Sequence, residues 1–94
     1  MLAKLPVERQ ALLDAADYIE EHGWCQYEPA NRKGAVCAVG ALMAVSSSPS
    51  IKLDAIELVK LVIGQWHIPN WNDAPERTKE EVVSALRAAA LHGL

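Results

Sequence analysis

Residues 34–45 read GAVCAVGALMAV, a run without a charged or strongly polar side chain. A helix that is apolar on every side has to be covered on every side. The sequence therefore predicts a buried helix over residues 35–46, with the rest of the chain packed around it. A membrane-spanning role is excluded for this run, since a spanning helix needs about 20 apolar residues. The alternative is a short strand over Ala35–Val39, but the alanine content and the length of the run favour a helix.

Gly40 lies in the middle of this run. Glycine in a helix interior costs about 1 kcal/mol relative to alanine. We therefore expect another segment of the chain to pack closely against the helix at Gly40.

Local sequence signals predict three further helices. Gly23 is a C-terminal cap for a helix whose apolar residues recur at helical spacing. Ser48 and Pro49 are an N-cap and a first-turn residue, and Thr78 with Glu81 forms a capping box. The four predicted helices cover residues 6–22, 35–46, 49–64 and 78–91.

The composition favours helices packed on helices. Hydrophobic residues make up 51% of the 94 residues, but aromatic residues make up only 5% and Phe is absent. An aliphatic, alanine-rich core of this kind predicts one all-α domain over residues 1–94, a compact four-helix fold with two Trp-bearing loops. We expect helices 35–46 and 49–64 to form its centre. The wide apolar face of helix 49–64 has two interpretations, a central position or a subunit interface.

Charge and targeting signals restrict the classes of partner. The net charge of −3 argues against a general binder of nucleic-acid phosphates. The first residues lack the apolar segment of a secretory signal, so we expect a cytoplasmic protein without a membrane partner. Cys25 and Cys37 are then expected to be free thiols. No phosphate-binding loop or other cofactor motif is present, so no cofactor is expected.

All three tryptophans lie in the two predicted loops, residues 24–34 and 65–77. Trp24 is predicted to plug the core with its indole N–H hydrogen-bonded. Aromatic anchors often serve interfaces, so the second loop is a candidate partner-binding segment. Its alternative interpretation is a structured turn whose tryptophans belong to the core. The predicted binding residues are Trp66, Trp71, Asn72, Asp73 and Arg77.

Cys37 is the strongest candidate for catalysis. It is predicted in the first turn of a helix, where free N–H groups and the helix dipole stabilise a thiolate. His67, or alternatively His22, would be the base, oriented by Asp73 or Asn72. This arrangement describes a cysteine-dependent hydrolase or transferase using Cys37, His67 and Asp73. A cysteine in an apolar helix is more often a small core residue, so we expect that the chain is not an enzyme.

The two cysteines allow two other interpretations. Cys25 and Cys37 could form a thiol redox pair if their Cα atoms lie within about 7 Å. With His22 and His67 they could bind zinc, but the closely spaced ligand pairs of zinc sites are missing. No metal is therefore expected.

Three sequence blocks carry a resemblance to a known family. They are HGWCQ at residues 22–26, CAVGAL at 37–42 and WNDAPERT at 71–78. The ordered motifs W-C-Q, C-A-x-G-A and W-N-D-x-P-x-R-T resemble those of small uncharacterised proteins of actinobacteria and their phages. That family has no assigned activity, so the resemblance transfers no catalytic role to any residue.

The resemblance also bears on the partner. A single-domain form like this one is similar to the phage members, and small phage accessory proteins often bind host proteins. The lack of a complete catalytic signature, the wide apolar face of helix 49–64 and the three loop tryptophans predict a non-enzymatic protein-interaction module that is a homodimer. The resemblance adds the expectation of a phage accessory protein that binds a bacterial host protein in the host cytoplasm.

Overall fold

A computed structural model describes residues 4–94, and over this range the chain is all-α, as predicted. Isolated bridges are the only β structure among these residues. The single domain over 1–94 stays a prediction, and residues 1–3 lie outside the described part. No helix of residues 4–94 is both long enough and apolar enough to cross a membrane. The helices are α1 (Val7–His22), α2 (Ala38–Val45), α3 (Pro49–Ile63), α4 (Ile68–Asn72) and α5 (Lys79–Leu91).

The ends of the long helices follow the local signals. The Gly23 N–H closes α1 on the carbonyl of Ile19. Ser48 Oγ accepts the Ile51 N–H at 3.3 Å at the start of α3. Both hydrogen bonds of the predicted Thr78 capping box are present at α5. These three predicted helices are confirmed to within a residue at each end.

The centre of the fold is α1, which packs on α2, α3 and α5. The prediction that helices 35–46 and 49–64 form the centre is wrong. The α3 helix has only Ala55 and Val59 fully buried, so it lies at the periphery. Small residues on α1 and α5 let these two helices approach closely instead. Their buried residues are Ala11, Leu12, Ala15, Ala16 and Ile19 of α1, and Val82, Val83, Leu86, Ala89 and Ala90 of α5.

The apolar run itself is only partly helical. Its helix begins at Ala38 rather than at residue 35, because Val36 forms bridges with Trp24 and Ala30. The run is also not covered on every side, since Met43 is 54% exposed and Ala44 is exposed. The prediction of a fully covered helix is therefore wrong.

Close packing at Gly40 is confirmed. A Cβ atom built on Gly40 would lie 2.0 Å from the carbonyl oxygen of Pro29. That same oxygen accepts the Cys37 N–H at 3.1 Å. The first loop therefore lies directly on the start of α2, where only glycine leaves room for it.

The second predicted loop contains a short helix that was not predicted, α4. Its N-cap is His67, whose Nδ1 accepts the Asn70 N–H at 3.2 Å. The helix buries Ile68 and Trp71 in the core. Five residues make little more than one turn, which is too short for a helical repeat to show.

Candidate functional site

A buried side-chain amide, that of Asn72, joins three parts of the chain. Its Oδ1 accepts the Trp24 indole N–H at 2.8 Å and the Ala38 N–H at 3.0 Å. Its Nδ2 donates to the Cys25 carbonyl at 3.2 Å and to Asp73 Oδ1 at 2.9 Å. The side chain is fully buried and uses both its donors and its acceptor. Asn72 therefore holds the first loop and the start of α2 against α4.

Two further contacts attach the first loop to the residues after α4. Gln26 Nε2 donates to the carbonyls of Asn72 at 3.2 Å and Ala74 at 2.9 Å. The Tyr27 N–H donates to Asp73 Oδ1 at 2.9 Å. Tyr27 has a φ of 72°, a left-handed conformation that is uncommon outside glycine. The contact to Asp73 helps to hold that conformation in place.

Trp71 and Arg77 form a second contact cluster, in which Trp71 is buried and Arg77 partly buried. The Trp71 side chain is only 8% exposed, and the Arg77 guanidinium carbon lies 4.3 Å from the centroid of its ring. Arg77 Nε also donates to the Trp71 carbonyl at 2.9 Å, and Nη1 pairs with Glu81 at 3.0 Å. Arg77 thus connects α4 to the first turn of α5 through a cation–π contact and two charged hydrogen bonds.

Cys37 is the N-cap of α2 rather than a residue inside its first turn. Its Sγ accepts the Gly40 N–H at 3.3 Å, and its side chain is buried. A small cavity of 160 Å³ lies beside it, lined by Cys37, Tyr27 and Asp73 among others. The hydrogen bonds found for Cys37 within residues 4–94 involve no histidine. The sulfur is therefore engaged in helix capping.

Cys25 lies next to the same segment. Its Sγ donates weakly to the carbonyls of Glu28 and Ala35, both at 3.4 Å. Burial raises the pKa of the Cys25 thiol, with smaller contributions from the nearby Cys37, Glu28 and Asp73. A raised pKa keeps the thiol protonated and lowers its reactivity. Both cysteines are free.

The candidate base residues have other contacts. His67 is exposed, and its Nδ1 is the N-cap acceptor of α4. His22 stacks on Tyr18, with ring centroids 4.1 Å apart. Among residues 4–94, no group of three or more His, Cys, Asp or Glu side chains could hold a metal ion.

An exposed apolar surface runs along the outer side of α3. Trp66 is 87% exposed, Leu61 is 65% exposed and Leu53 is 57% exposed. Glu57 and Lys60 lie between them and form an ion pair at 2.8 Å. We call these five residues the α3 face. A groove of about 420 Å³ lies at its end, lined by Glu57, Lys60, Leu61, Gly64, Gln65 and Trp66.

The structure thus separates the residues predicted to bind a partner. Trp71 and Asn72 are buried, and Asp73 and Arg77 contact groups of the same chain. Only Trp66 is largely open to solvent. Leu53 and Leu61 are surface residues that the sequence did not single out, because they belong to an apolar pattern that also predicts burial.

Two of the sequence blocks are in contact, which the sequence pattern did not indicate. The W-C-Q block and the W-N-D block meet where Trp24, Cys25 and Gln26 hydrogen-bond to Asn72. The hydrogen bond predicted for the Trp24 indole N–H is confirmed, and the ring packs against the core but is only partly buried.

Comparison with known proteins places the chain in a family. A family model described as "Family of unknown function (DUF6197)" matches residues 6–92. No curated protein and no solved structure matches the chain. The matched range extends from the start of α1 past the end of α5, so it includes both contact clusters and the α3 face. The chain therefore belongs to the family of unknown function DUF6197.

Proposed function

We propose that this protein is a non-enzymatic protein-interaction module and that the α3 face is its partner surface. The observation that carries the proposal is Trp66, which is 87% exposed beside the groove at the end of α3. Tryptophan is the residue type most enriched among those that dominate binding energy at interfaces. Its indole ring would become buried only when a partner covers it.

The neighbours of Trp66 support the same role. Leu53 and Leu61 lie two helical turns apart on one side of α3, so their exposed side chains form one stripe. Contiguous exposed apolar surface on a small protein commonly marks an interaction site. Burial of such surface contributes roughly 25 cal/mol for each Å² removed from water. The Glu57–Lys60 pair lies between the two leucines and supplies polar groups within the stripe.

The geometry at the cysteines favours binding over catalysis. The Cys37 sulfur is buried and accepts a backbone N–H. Asp73, the proposed orienting group, instead accepts hydrogen bonds from Asn72 and from the backbone of Tyr27. The hydrolase and redox interpretations stay predictions, and a structural role explains the same contacts.

Two kinds of partner fit the α3 face, a host protein and a second copy of the chain. The resemblance to phage proteins of actinobacteria supports a host protein as the partner, met in the host cytoplasm. A second copy of the chain is the other candidate. Both would use the α3 face, because Trp71 and Asn72 are buried in the fold.

A binding experiment with matched variants tests the proposal. Wild-type protein and the Trp66→Ala variant are immobilised and exposed to actinobacterial lysate, and the affinity for each retained protein is measured. Self-association is measured separately. Loss of a central interface tryptophan costs about 2 kcal/mol or more, which is about 30-fold in affinity. Leu91→Ala is the control, because Leu91 is also 57% exposed but lies on α5.

The expected result is weaker binding for Trp66→Ala at an unchanged melting temperature, with wild-type binding for Leu91→Ala. Equal binding by all three proteins would place the partner surface elsewhere. Absence of both a retained protein and self-association would refute the proposed function.

A further inference from the structure

The α3 face carries one acidic and one basic side chain, three positions apart in the helix. Glu57 and Lys60 are three positions apart and therefore lie on neighbouring parts of the same helix surface. The Glu57 side chain is 65% exposed and the Lys60 side chain 29% exposed. Leu53 precedes them by one turn, and Leu61 and Gly64 follow them. The surface thus has one acidic group and one basic group inside an apolar stripe.

We infer that the partner on the α3 face is a second copy of this chain, which pairs its α3 antiparallel to the first across a two-fold axis. This inference rests on the proposed function, because it uses the same surface. It goes further by naming the partner and the charge pairs that select it.

Two-fold symmetry makes the charges of Glu57 and Lys60 on one copy complementary to the same two charges on the other. At a two-fold interface, if one residue contacts a second residue on the other copy, the reverse contact also forms. With α3 antiparallel and the axis between positions 57 and 60, Glu57 of each copy meets Lys60 of the other. One offset therefore produces two opposite-charge pairs. A parallel arrangement in register would instead place Glu57 against Glu57.

The same register suits the uncharged positions. Leu53 of one copy then lies opposite Gly64 of the other, because these positions are symmetric about the same point. A Cβ atom on Gly64 would meet no atom within 4 Å, so this side of the helix end is open. Gly64 has no side chain and leaves room for the leucine. Trp66 of each copy, which follows Gly64, extends the contact beyond the end of the helix.

The charges also favour a second copy over an unrelated protein. Lys60 Nζ lies 2.8 Å from Glu57 and 5.6 Å from the centroid of the Trp66 ring, so the two charges already neutralise one another. A partner with a large net charge would gain little from such a surface. A surface with the same two charges in reversed order matches it, and the two-fold axis supplies that order.

Charge reversal in each copy provides the test. Sedimentation equilibrium over a wide range of concentration measures self-association of the wild type, Glu57→Lys, Lys60→Glu and an equal mixture of the two variants. The dimer has twice the 10.2 kDa mass of the chain. Each single variant places like charges across the axis, which should weaken self-association about tenfold or more. The mixture should recover it, because unlike variants restore both opposite-charge pairs.

Two controls make the result specific. The charge reversal Arg87→Glu changes an exposed basic residue on α5, which pairs with Asp17 rather than with the α3 face, and should leave self-association unchanged. Circular dichroism confirms that each variant remains folded. Labelling one variant with a fluorescent dye shows directly that the recovered species contains both chains.

The outcomes separate this inference from the proposed function. A wild type that stays monomeric overturns the inference, but the interaction module stands if a lysate protein still binds in a Trp66-dependent manner. A dimer that is insensitive to both charge reversals, or a mixture that does not recover, also overturns the antiparallel α3 pairing. Weakened single variants with recovery in the mixture support it.

Discussion

The amide oxygen of Asn72 lies 2.8 Å from the indole nitrogen of Trp24, and the two residues are 48 positions apart in the sequence. This hydrogen bond joins the first loop to α4, and the same oxygen also accepts the Ala38 N–H at the start of α2. A single buried side chain therefore fixes the relative position of three segments. Buried polar groups of this kind are costly to leave unpaired.

Replacing Asn72 with Ala should therefore destabilise the fold strongly. The change leaves the Trp24 indole N–H and the Ala38 N–H without their acceptor, and an unpaired buried group costs about 1–3 kcal/mol. We expect a loss of about 3 kcal/mol or more in the free energy of unfolding, measured by urea denaturation. Asn70→Ala is the matched control, since Asn70 lies on the same short helix but is exposed. A difference below about 1 kcal/mol between the two variants would contradict the central role of Asn72.

Gly40→Ala should also destabilise the protein, although alanine is the better helix former. The new Cβ would lie 2.0 Å from the Pro29 carbonyl oxygen, so the first loop has to move away from α2. Overpacking of a well-packed site costs about 1–3 kcal/mol. The atoms in the way belong to the Pro29 backbone rather than to a flexible side chain, so we expect this cost to exceed the gain of about 1 kcal/mol in helix propensity. We therefore expect a lower melting temperature together with faster exchange of the Cys37 amide hydrogen, which Pro29 otherwise accepts.

Ala44→Gly provides the comparison for this measurement. Ala44 is exposed on the same helix, so the change alters helix propensity without affecting the first loop. It should cost about 1 kcal/mol and leave exchange at Cys37 unchanged. A Gly40→Ala variant more stable than the wild type would show that the loop adjusts without penalty.

The parts of the fold that could be predicted are those specified by neighbouring residues. Gly23, Ser48 and Thr78 mark helix ends through contacts within four residues, and the structure confirms all three. Close packing at Gly40 could be predicted as well, because a helix interior rarely tolerates glycine without a packing reason. The identity of the packing segment, Pro29, could not.

The parts that could not be predicted depend on distant contacts. The start of α2 moves to Ala38 because Val36 bridges to Trp24 and Ala30. Asn is a residue type common in turns, so the sequence around Asn72 indicates only a turn. Its contacts with the first loop and α2 form only in the folded chain, where α4 packs on the first loop. The apolar pattern of α3 is equally compatible with burial and with an interface, and only the position of α1 at the centre leaves Leu53 and Leu61 exposed.

The reactivity of Cys25 should show the effect of burial on its thiol. Burial is the main cause that raises the pKa of Cys25, so its thiolate fraction is lower than that of an ordinary cysteine. We expect alkylation of Cys25 in a Cys37→Ser variant to be slower than in the unfolded chain at about pH 8.5, where free thiols are half ionised. The alkylation rate of Cys25 should increase with pH, and the midpoint of this increase should lie at a higher pH than in the unfolded chain. A midpoint at or below that of the unfolded chain would contradict the burial of the thiol.

The same shift affects stability at alkaline pH. Because the folded pKa of Cys25 lies above the unfolded value, the unfolded chain loses its proton first as the pH increases. The contribution of Cys25 to the free energy of unfolding is therefore constant below about pH 8.5. It declines as the pH rises through the folded pKa. Chemical denaturation of the wild type and Cys25→Ala at several pH values should show a steeper alkaline decline for the wild type. Parallel profiles would show that the thiol has the same pKa in both states.

Substitution by alanine should destabilise the fold strongly at Trp71 and hardly at all at Trp66. Trp71 is 8% exposed and Trp66 is 87% exposed, although only five positions separate them. Trp71→Ala removes a core side chain and the ring beneath Arg77, and a buried tryptophan truncated to alanine costs about 3–5 kcal/mol. Trp66→Ala removes a side chain that is already in water, and such surface changes usually remain within about 0.5 kcal/mol. Urea denaturation at a concentration where the wild type is monomeric should separate the two variants by about 3 kcal/mol or more.

The cation–π contact of Arg77 contributes to this difference and can be measured by itself. Arg77→Lys keeps the charge but loses the Nε hydrogen bond to the Trp71 carbonyl and the planar group above the ring. We expect it to cost about 1–2 kcal/mol in the wild type and less when Trp71 is already alanine, because the ring contact is then absent. A double-mutant cycle of Arg77→Lys with Trp71→Ala measures that coupling. Additive costs in the cycle would show that the guanidinium contributes nothing through the ring.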